Sequence, residues 1–264
     1  MSDVMATHFA AFSLELLAPL HLGSRRAGVV AQTHRHAPGH LFIYALAAAV
    51  GAERGGTPGQ FADALDEIMR RFRFGPAFFL EGERRLDDKE VEQKLISSRH
   101  HVTLDSSTRS AVDSALFEVE QLLAPRHVHI RLCGGVWFDQ DQIDARPLRE
   151  WLSILRLGGE LKTGCGHLRC DGWQADAIRY PGVATANGEG VHLAAGELLP
   201  GAAIDGVSGV PLQPWLGRRH DPMLGFGRRL SQSVLVRLHG ISEQKTCFLP
   251  CASGDAAGCW QVSA

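Results

Sequence analysis

Long hydrophobic runs are absent from this sequence. The longest, LFIYALAAAV at 41–50, is far shorter than the roughly 20 apolar residues that a helix needs to cross a bilayer, and it is typical of a buried helix. The N-terminal segment MSDVMATHF carries an acid and no basic region, which is unlike a secretory signal. We therefore expect a cytoplasmic protein without a membrane partner.

Cysteine is also sparse, with six residues in a chain of 264. Six cysteines do not indicate a disulfide framework in a cytoplasmic chain of this length. The gaps of four residues after Cys165 and three after Cys247 differ from the two-residue spacing of a zinc knuckle. We expect buried free thiols, no metal site and no cofactor. A zinc-stabilised structural protein stays an alternative, with ligands among Cys165, Cys170, Cys247, Cys251 and Cys259.

Lysine is scarce as well, because only Lys89, Lys94, Lys162 and Lys245 occur among the 27 lysines and arginines. Arginine supplies the rest, and its guanidinium suits forked phosphate contacts and stacking on bases. The formal net charge of −2 does not exclude RNA, since locally clustered cations can bind it. The basic residues form five short groups: Arg25-Arg26, His34-Arg35-His36, Arg99-His100-His101, Arg218-Arg219-His220 and Arg228-Arg229.

Glycine is abundant, and it is concentrated in LRLGGELKTGCGHLR at 155–169. Four glycines fall within nine positions: Gly158, Gly159, Gly164 and Gly166. Such a cluster indicates unusual backbone angles or the close approach of another backbone or a ligand. Exposed backbone N–H groups can hydrogen-bond phosphate oxygens. Three basic residues share the segment: Lys162, His167 and Arg169. At this point an RNA-binding loop and a plain helix-to-strand turn fit the segment equally well.

Hydrophobic periodicity predicts a mixture of strands and helices. The predicted elements are a strand in 8–22, a polar loop to Pro38-Gly39, helices at 40–51 and 57–75, strands at 76–81, 99–104, 115–123 and 127–138, a helix at 146–159 and a strand at 167–173. Thr57 is the expected cap of the second helix, with Pro58 at its first position. The strands at 115–123 and 127–138 are predicted to form a hairpin through Ala124-Pro125-Arg126.

This order predicts an α+β fold of the ferredoxin-like (RRM-like) type, an antiparallel sheet with helices on one face. Residues 1–180 would form this domain and carry the glycine-rich loop. Residues 181–264 contain the strand-like segments VHLAAGELL and SVLVRLHG. They would either complete the same domain or form a second, smaller ferredoxin-like half.

Several segments resemble the motifs of one protein family. PLHLGS at 19–24, followed by a loop and APGHLFIYALAAAVG at 37–51, resembles the "LHIGSG" strand end and "IPGSSLKGALR" helix start of the RAMP superfamily of CRISPR-associated proteins. HVTLDSSTRSAVDSALFEVEQL at 101–122 is similar to an acidic loop and strand of that family. GGELKTGCGHLR at 158–169 is similar to its glycine-rich loop, and GFGRRLS at 225–231 to a second glycine-containing segment.

The resemblance implies an RNA-binding subunit of a type III-like CRISPR effector ribonucleoprotein that acts in antiviral defence. Its partners would be guide RNA, possible target RNA and other subunits of the complex. In backbone subunits of such complexes, an aspartate in the loop after the first strand is linked to target-RNA cleavage. SRRAGVVAQTHRH at 24–36 has none, which argues against target cleavage by this chain. The residues predicted to bind RNA are Arg25, Arg26, His34, Arg35, His36, Arg99, His101, Gly158, Gly159, Lys162, Gly164, Gly166, His167, Arg169 and Arg228.

A metal-independent endoribonuclease that processes precursor CRISPR RNA is the main alternative, since RAMP relatives include such enzymes. This chemistry needs a base for the 2′-hydroxyl and an acid for the leaving oxygen, and histidine can serve as both near neutral pH. Among 13 histidines, His34 and His36 are the best candidates because they lie in the loop before the first helix. Asp105 is predicted to be a turn residue.

Overall fold

A computed structural model describes the chain over residues 7–105, 107–123, 129–215, 217–221, 225–231, 234–252 and 254–263. Up to residue 175 the elements are, in chain order, strands β1 (His8–Leu16), β2 (Gly23–Ala27) and β3 (Val30–Thr33), helices α1 (Gly39–Glu53) and α2 (Pro58–Arg71), strands β4 (Phe72–Phe74), β5 (Phe78–Glu81) and β6 (Arg84–Arg85), helix α3 (Asp88–Leu95), strands β7 (Ile96–Leu104), β8 (Ala111–Leu122), β9 (Ile130–Phe138), β10 (Gln142–Ile143) and β11 (Arg146–Pro147), helix α4 (Leu148–Ile154), a 3-10 turn (Leu161–Thr163) and strand β12 (Leu168–Ala175).

The remaining elements are mostly short strands. They are β13 (Thr185–Asn187), β14 (Gly190–Leu193), β15 (Leu198–Ala203), β16 (Val207–Ser208), β17 (Gln213–Pro214), β18 (Gly217–Asp221), β19 (Gly225–Ser231), β20 (Leu235–Ser242), β21 (Thr246–Pro250), a 3-10 turn (Gly254–Ala256) and β22 (Trp260–Val262). Within the described ranges, no helix combines the length and the apolar composition that a membrane crossing requires.

The central sheet has the strand order β12-β1-β9-β5-β6, and neighbouring strands along it run antiparallel. Strand β4 makes a further antiparallel pair with β9. In the chain, α1 and α2 lie between β1 and β4, and α4 lies between β9 and β12. The fold is therefore mixed α+β with antiparallel sheets, which confirms the predicted class at this level.

Both faces of the central sheet are buried. Successive side chains of a strand point to opposite sides, so one strand can contribute residues to two cores. On β1, Phe12 and Leu14 belong to a core that includes the helices, whereas Phe9 belongs to a second core. On β9, Leu132 and Trp137 are divided between the two cores in the same way. The helices therefore cover one face, and strands of the C-terminal part cover the other.

The second core is built around aromatic rings from both parts of the chain. The Trp137 ring lies 4.6 Å from Phe9, 5.7 Å from Tyr180 and 6.0 Å from Trp260, measured between centroids. Trp260 lies in an eight-stranded sheet with the path β13-β14-β21-β22-β15-β20-β16, to which β17 adds by pairing with β20. Residues after 180 thus share a core with the first strand.

A separate four-stranded sheet, β2-β3-β8-β7, corrects two predictions. Strand β8 pairs with β7 and with β3, while β9 lies in the central sheet, so the predicted hairpin of 115–123 with 127–138 is wrong. The predicted linker at 124–126 lies outside the described residues. The polar loop predicted before Pro38 instead contains the hairpin β2–β3. Except for the buried Thr33, its residues are partly buried or exposed, so the two strands lack the apolar alternation that would have indicated them.

Several boundaries also differ from the predictions. The first strand ends at Leu16, and the second helix ends at Arg71, where β4 begins. The helix predicted at 146–159 is shorter, since it begins at Leu148 and ends at Ile154. Helix α3 begins after Asp87, whose side chain accepts from the backbone N–H of Glu90. No helix was predicted at that position.

The start of α2 is capped as predicted. The Thr57 hydroxyl accepts from the backbone N–H of Gln60 (3.3 Å), and the Gln60 side chain accepts from the backbone N–H of Thr57 (3.0 Å). Pro58 occupies the first turn. This capping box satisfies N–H groups that have no acceptor within the helix.

We expect Thr57→Ala to lower the free energy of unfolding by about 1 kcal/mol, because it removes the capping acceptor. Urea denaturation of the variant and the natural protein measures the difference. Thr57→Ser is the matched control, since it keeps the hydroxyl and should stay near the natural value. Equal losses in the two variants would contradict the capping role.

Candidate nucleic-acid interface

The glycine loop, residues 158–166, lies against the segment between β1 and β2. The N–H of Gly159 donates to the carbonyl oxygen of His21 (2.8 Å), and a side chain on Gly158 would overlap that same oxygen. Gly158 has a φ of +86°, which glycine adopts without steric penalty. The close approach expected from the glycine cluster is present, and the backbone that approaches is the chain's own.

The far end of the glycine loop is held in a similar way. The N–H of Gly166 donates to the carbonyl of Pro19 (2.8 Å), and the Gly166 carbonyl accepts from the N–H of Leu157 (3.0 Å). Gly166 has a φ of +87°, and a Cβ there would lie 2.5 Å from the carbonyl oxygen of Leu157. Both ends of the loop are therefore fixed to the protein.

Backbone N–H groups of this loop are mostly used within the protein. Besides Gly159 and Gly166, the N–H of Gly164 donates to the carbonyl of Leu161 (3.3 Å), and that of Cys165 donates to Glu160 (3.3 Å). A donor that already has an acceptor is not offered to phosphate. The loop therefore does not offer the expected set of N–H donors to phosphate. Any contact that it makes with RNA has to come from its side chains.

The exposed part of the loop is the turn that contains Lys162. Lys162 and Gly164 are both exposed, and Gly164, with a φ of +92°, has open space where a side chain would point. His167 and Arg169 follow the loop and are exposed as well. Arg169 forms an ion pair with Glu15 across β1 and β12. Lys162 and His167 are thus among the polar groups that this edge presents to solvent.

The start of β2, the strand that carries two exposed arginines, lies next to the glycine loop. Arg25 and Arg26 are exposed on β2, an outer strand of the four-stranded sheet. The ring of His21 lies within 4 Å of the positions that side chains on Gly23 and Gly159 would occupy. The glycine loop and the start of β2, both predicted to bind RNA, therefore meet at His21.

Arg35 is used inside the protein. Its guanidinium lies 3.0 Å from a carboxylate oxygen of Glu120 and 3.5 Å from one of Glu92, and it donates to the carbonyl of Thr33 (2.6 Å). These contacts join the end of β3 to β8 and α3. The guanidinium of Arg35 is therefore not exposed for RNA binding in the way that those of Arg25 and Arg26 are.

The side chains of His34 and His36 lie on the other side of the same segment. His36 is buried, and the next residue, Ala37, exchanges two backbone hydrogen bonds of 2.8 Å with Ala77. The His36 ring lies 6.0 Å from that of His34. Burial lowers the pKa of His36 to about 3 and that of His34 to about 4, with Arg35 adding to the shift of His34. Both imidazoles are therefore neutral near pH 7.

Arg99, His101 and Asp105 lie on the hairpin β7–β8, which touches the glycine loop at its other end, where Gln121 donates to Cys165 Sγ (3.3 Å). Arg99 is exposed, whereas His101 is partly buried and stacks on Phe117 with centroids 5.1 Å apart. The Asp105 carboxylate accepts from the N–H groups of Ser107 and Thr108, so the predicted turn role is confirmed. Arg228 lies on β19, where the description is limited to the backbone.

The cysteines do not form a metal site among the described residues. All six are free thiols, and four of them are buried: Cys133, Cys165, Cys251 and Cys259. Burial raises the pKa of Cys251 to about 11 and that of Cys133 to about 12, whereas zinc binds the thiolate. The described chain contains one group of three side chains suited to a metal ion, which is His36 with Asp88 and His239.

Reasoning from the sequence missed three residues that contact these sites. His21 donates through Nδ1 to the backbone carbonyl of Glu120 (2.7 Å), and Trp215 lies 5.8 Å from the ring of His34. His239 lies 5.6 Å from the ring of His36. Only His21 had a local signal, since it belongs to the PLHLGS segment. The others are distant in the chain, and folding alone brings them to these positions.

This chain is similar to known proteins in its fold and not in its sequence. No family model and no curated protein matches it. It is similar to a chain of the type III-B Cmr-beta complex bound to cognate target RNA and AMPPnP, with a TM-score of 0.51 and 12% sequence identity, over 88% of this chain and 84% of that one. Its fold is like that of a Cmr-beta chain. A chain of Cmr-beta bound to cognate target RNA also matches, with a TM-score of 0.47 and 10% identity, over 63% of this chain and 98% of that one.

The Cmr-like fold is not limited to the predicted N-terminal domain. The first match covers 88% of the chain, which is more than residues 1–180 could supply. At 12% identity the likeness concerns the fold and not the chemistry of individual residues.

Proposed function

We propose that this protein is an RNA-binding subunit of a type III-like CRISPR effector ribonucleoprotein, where it contacts the guide RNA backbone and neighbouring subunits. One observation carries the proposal: the glycine loop, with exposed Lys162, and the strand with exposed Arg25 and Arg26 meet at His21. The Cmr-like fold supports it, since the similar chain comes from a complex bound to target RNA.

The central sheet supports a ferredoxin-like (RRM-like) interpretation of the fold. In chain order its four main strands are β1, β5, β9 and β12, and in space they follow β12-β1-β9-β5. Helices fill both crossovers, giving the βαββαβ order. Helices pack on one face and C-terminal strands on the other. We therefore propose that RNA contacts loops and strand edges of this protein and not an open sheet face.

The exposed cations are suited to a sugar-phosphate backbone. Arginine offers a planar fork of donors that matches a phosphate, and lysine offers a mobile point charge. Arg25 is oriented by a hydrogen bond from its Nε to Oε1 of Gln32 (2.7 Å), which leaves its terminal nitrogens to other acceptors. Contacts of this kind position RNA without reading its sequence. The site therefore suits a guide of any sequence.

The hairpin β7–β8 supports contact with neighbouring subunits. Four apolar side chains towards its tip are exposed: Val102, Leu104, Val112 and Leu116. Val102 lies opposite Leu116 across the two strands. Exposed apolar groups that lie together mark protein–protein contacts more often than isolated ones do. We assign this surface to subunit contact.

The endoribonuclease alternative has little support in the geometry. Acid–base cleavage needs one imidazole that is protonated and one that is neutral at the working pH. His34 and His36 are both neutral there, with pKa values of about 4 and about 3, and His36 is buried. Neither histidine is therefore suited to act as the general acid.

Loss of the exposed cations should weaken RNA binding, most clearly through its dependence on salt. The triple variant Arg25→Ala/Arg26→Ala/Lys162→Ala removes three groups that can each neutralise a phosphate. We expect the slope of log K against log salt to fall by about 0.7 per lost contact, and the affinity at low salt to drop roughly tenfold to 100-fold. Fluorescence anisotropy with labelled single-stranded RNA, with and without a repeat-derived 5′ tag, measures both quantities.

Arg70→Ala is the matched control, because Arg70 is exposed on α2 and its Nε donates to the carbonyl of Asp66 in its own helix. It should leave the affinity and the salt slope unchanged. The proposal fails if the triple variant binds like the natural protein, or if Arg70→Ala loses as much per charge. A denaturing gel of the same samples tests the alternative, which predicts RNA cut at one position without added metal.

A further inference from the structure

Three potential metal ligands from distant parts of the chain meet beside the C-terminal sheet. His36 precedes α1, Asp88 is the first residue of α3, and His239 lies on β20. One ligand atom from each lies within 4.8 Å of the other two. His239 Nε2 lies 3.4 Å from a carboxylate oxygen of Asp88, and the two imidazole rings are 5.6 Å apart at an interplanar angle of 82°.

His36 supplies the observation that points to a ligand. Its Nε2 atom is buried and has no hydrogen-bond partner among the described residues, and the side chain as a whole is only 4% exposed. A buried polar nitrogen without a partner is destabilising, because it has given up its hydrogen bonds to water and gained none in the protein. Such atoms are rare in folded proteins and commonly mark an ion, a water molecule or a function.

His239 is held in an unusual backbone conformation. Its φ is +55°, in a region that non-glycine residues seldom occupy outside turns and functional sites. The conformation interrupts the regular alternation of β20 and presents the ring to Asp88 and His36. The backbone N–H of Gly201 lies 3.3 Å from the other ring nitrogen, Nδ1, which is long for a hydrogen bond. Binding of an ion to Nε2 would place the ring proton on Nδ1, and this long contact with the N–H of Gly201 would then be lost.

We propose that His36, Asp88 and His239 together bind one divalent transition-metal ion, with zinc as the preferred ion. Two imidazole nitrogens and one carboxylate form a donor set that zinc uses in proteins, with a remaining position open to water. Magnesium and calcium prefer several oxygen ligands, and this site has one carboxylate with the cation Arg85 close to it. The nitrogen donors therefore set the choice of ion.

The proposed ion would cross-link segments of the fold that are distant from one another in the chain. It would tie the segment before α1 and the start of α3 to β20 of the C-terminal sheet. A ligand that binds only the folded state stabilises that state by mass action. Zinc should therefore raise the melting temperature of the full chain. This inference is independent of RNA binding.

Titration of the chelator-treated full chain with ZnCl2 tests the proposal, using calorimetry for stoichiometry and thermal unfolding for stability. We expect one ion per chain and a higher melting temperature. Asp88→Asn is the main variant, because the Asp88 side chain is 57% exposed and its replacement keeps the shape. It should weaken zinc binding at least roughly tenfold, since even supporting groups of a metal site contribute that much.

Asp176→Asn is the matched control. The pair His8–Asp176 has a similar N–O distance of 3.3 Å but is not part of the three-ligand group, so its loss should leave zinc affinity unchanged. Binding of Co2+ gives a second readout, since nitrogen and oxygen ligands produce visible bands without a thiolate charge-transfer band. The proposal is overturned by absent or non-saturating zinc binding, by an unchanged affinity in Asp88→Asn, or by a thiolate band.

Discussion

Gly158→Ala should lower the free energy of unfolding by about 2 to 5 kcal/mol, because it combines a left-handed backbone with a steric overlap. Gly158 has a φ of +86°, and a Cβ there would overlap the backbone oxygen of His21. That oxygen also accepts the hydrogen bond from Gly159, so it cannot move away without breaking the contact. Urea denaturation measures the loss.

Gly164→Ala is the matched control for this prediction. Its φ of +92° is equally left-handed, but a Cβ at Gly164 would meet nothing within 4 Å. We expect a loss of about 1 to 2 kcal/mol from the backbone conformation alone. If Gly158→Ala and Gly164→Ala lower the free energy of unfolding equally, the close contact between Gly158 and His21 does not contribute to stability.

Trp137→Ala should lower the free energy of unfolding by about 3 to 5 kcal/mol, as expected for the truncation of a buried tryptophan. Trp137 is completely buried, packs against Phe9, Tyr180 and Trp260, and donates through Nε1 to the carbonyl of Asn187 (2.7 Å). Its partners come from both sides of residue 180. We therefore expect one cooperative transition, followed by far-UV circular dichroism and by tryptophan fluorescence.

Trp173→Ala serves as the control for the size of the effect. Trp173 is partly buried and contacts the Phe138 ring, with centroids 6.2 Å apart, on the helix-covered side of the sheet. It should lose less stability than Trp137→Ala. Two separate transitions in the natural protein would show that residues 181–264 fold as a second unit and would contradict the shared core.

Short-range features of the fold could be predicted from the sequence, since they depend on residues close in the chain. The capping box of α2 needs only Thr57 and Gln60, which are three residues apart, and the apolar run that forms α1 is equally local. The turn at Asp105 is another case, because its acceptors and donors lie within three residues. Hydrogen bonds of this kind need no partner from a distant part of the chain.

Strand pairing could not be predicted in the same way. Strands β8 and β9 are neighbours in the chain and both show alternating apolar residues, but they lie in different sheets. Alternation identifies a strand and its buried face, while the choice of partner depends on which surfaces the rest of the chain leaves to be covered. Strand β9 is buried on both sides, by helices and by C-terminal strands.

The basic segment THRHAPG illustrates the same limit for the candidate site. Its composition indicated a mobile RNA-binding loop, but neighbouring side chains point to opposite sides of an extended backbone. Arg35 therefore meets Glu120, while His36 enters a buried cluster with His239. Long-range packing alone supplies those partners.

By itself, the sequence determined where the chain needs glycine, where α2 starts and which residues alternate in strands, because these are properties of local backbone geometry. The tertiary structure alone decided that the glycine loop closes on His21, that the start of β2 lies against the same histidine, and that His36 lies near Asp88. These contacts join residues far apart in the chain, and their energies exist only once the sheets have packed.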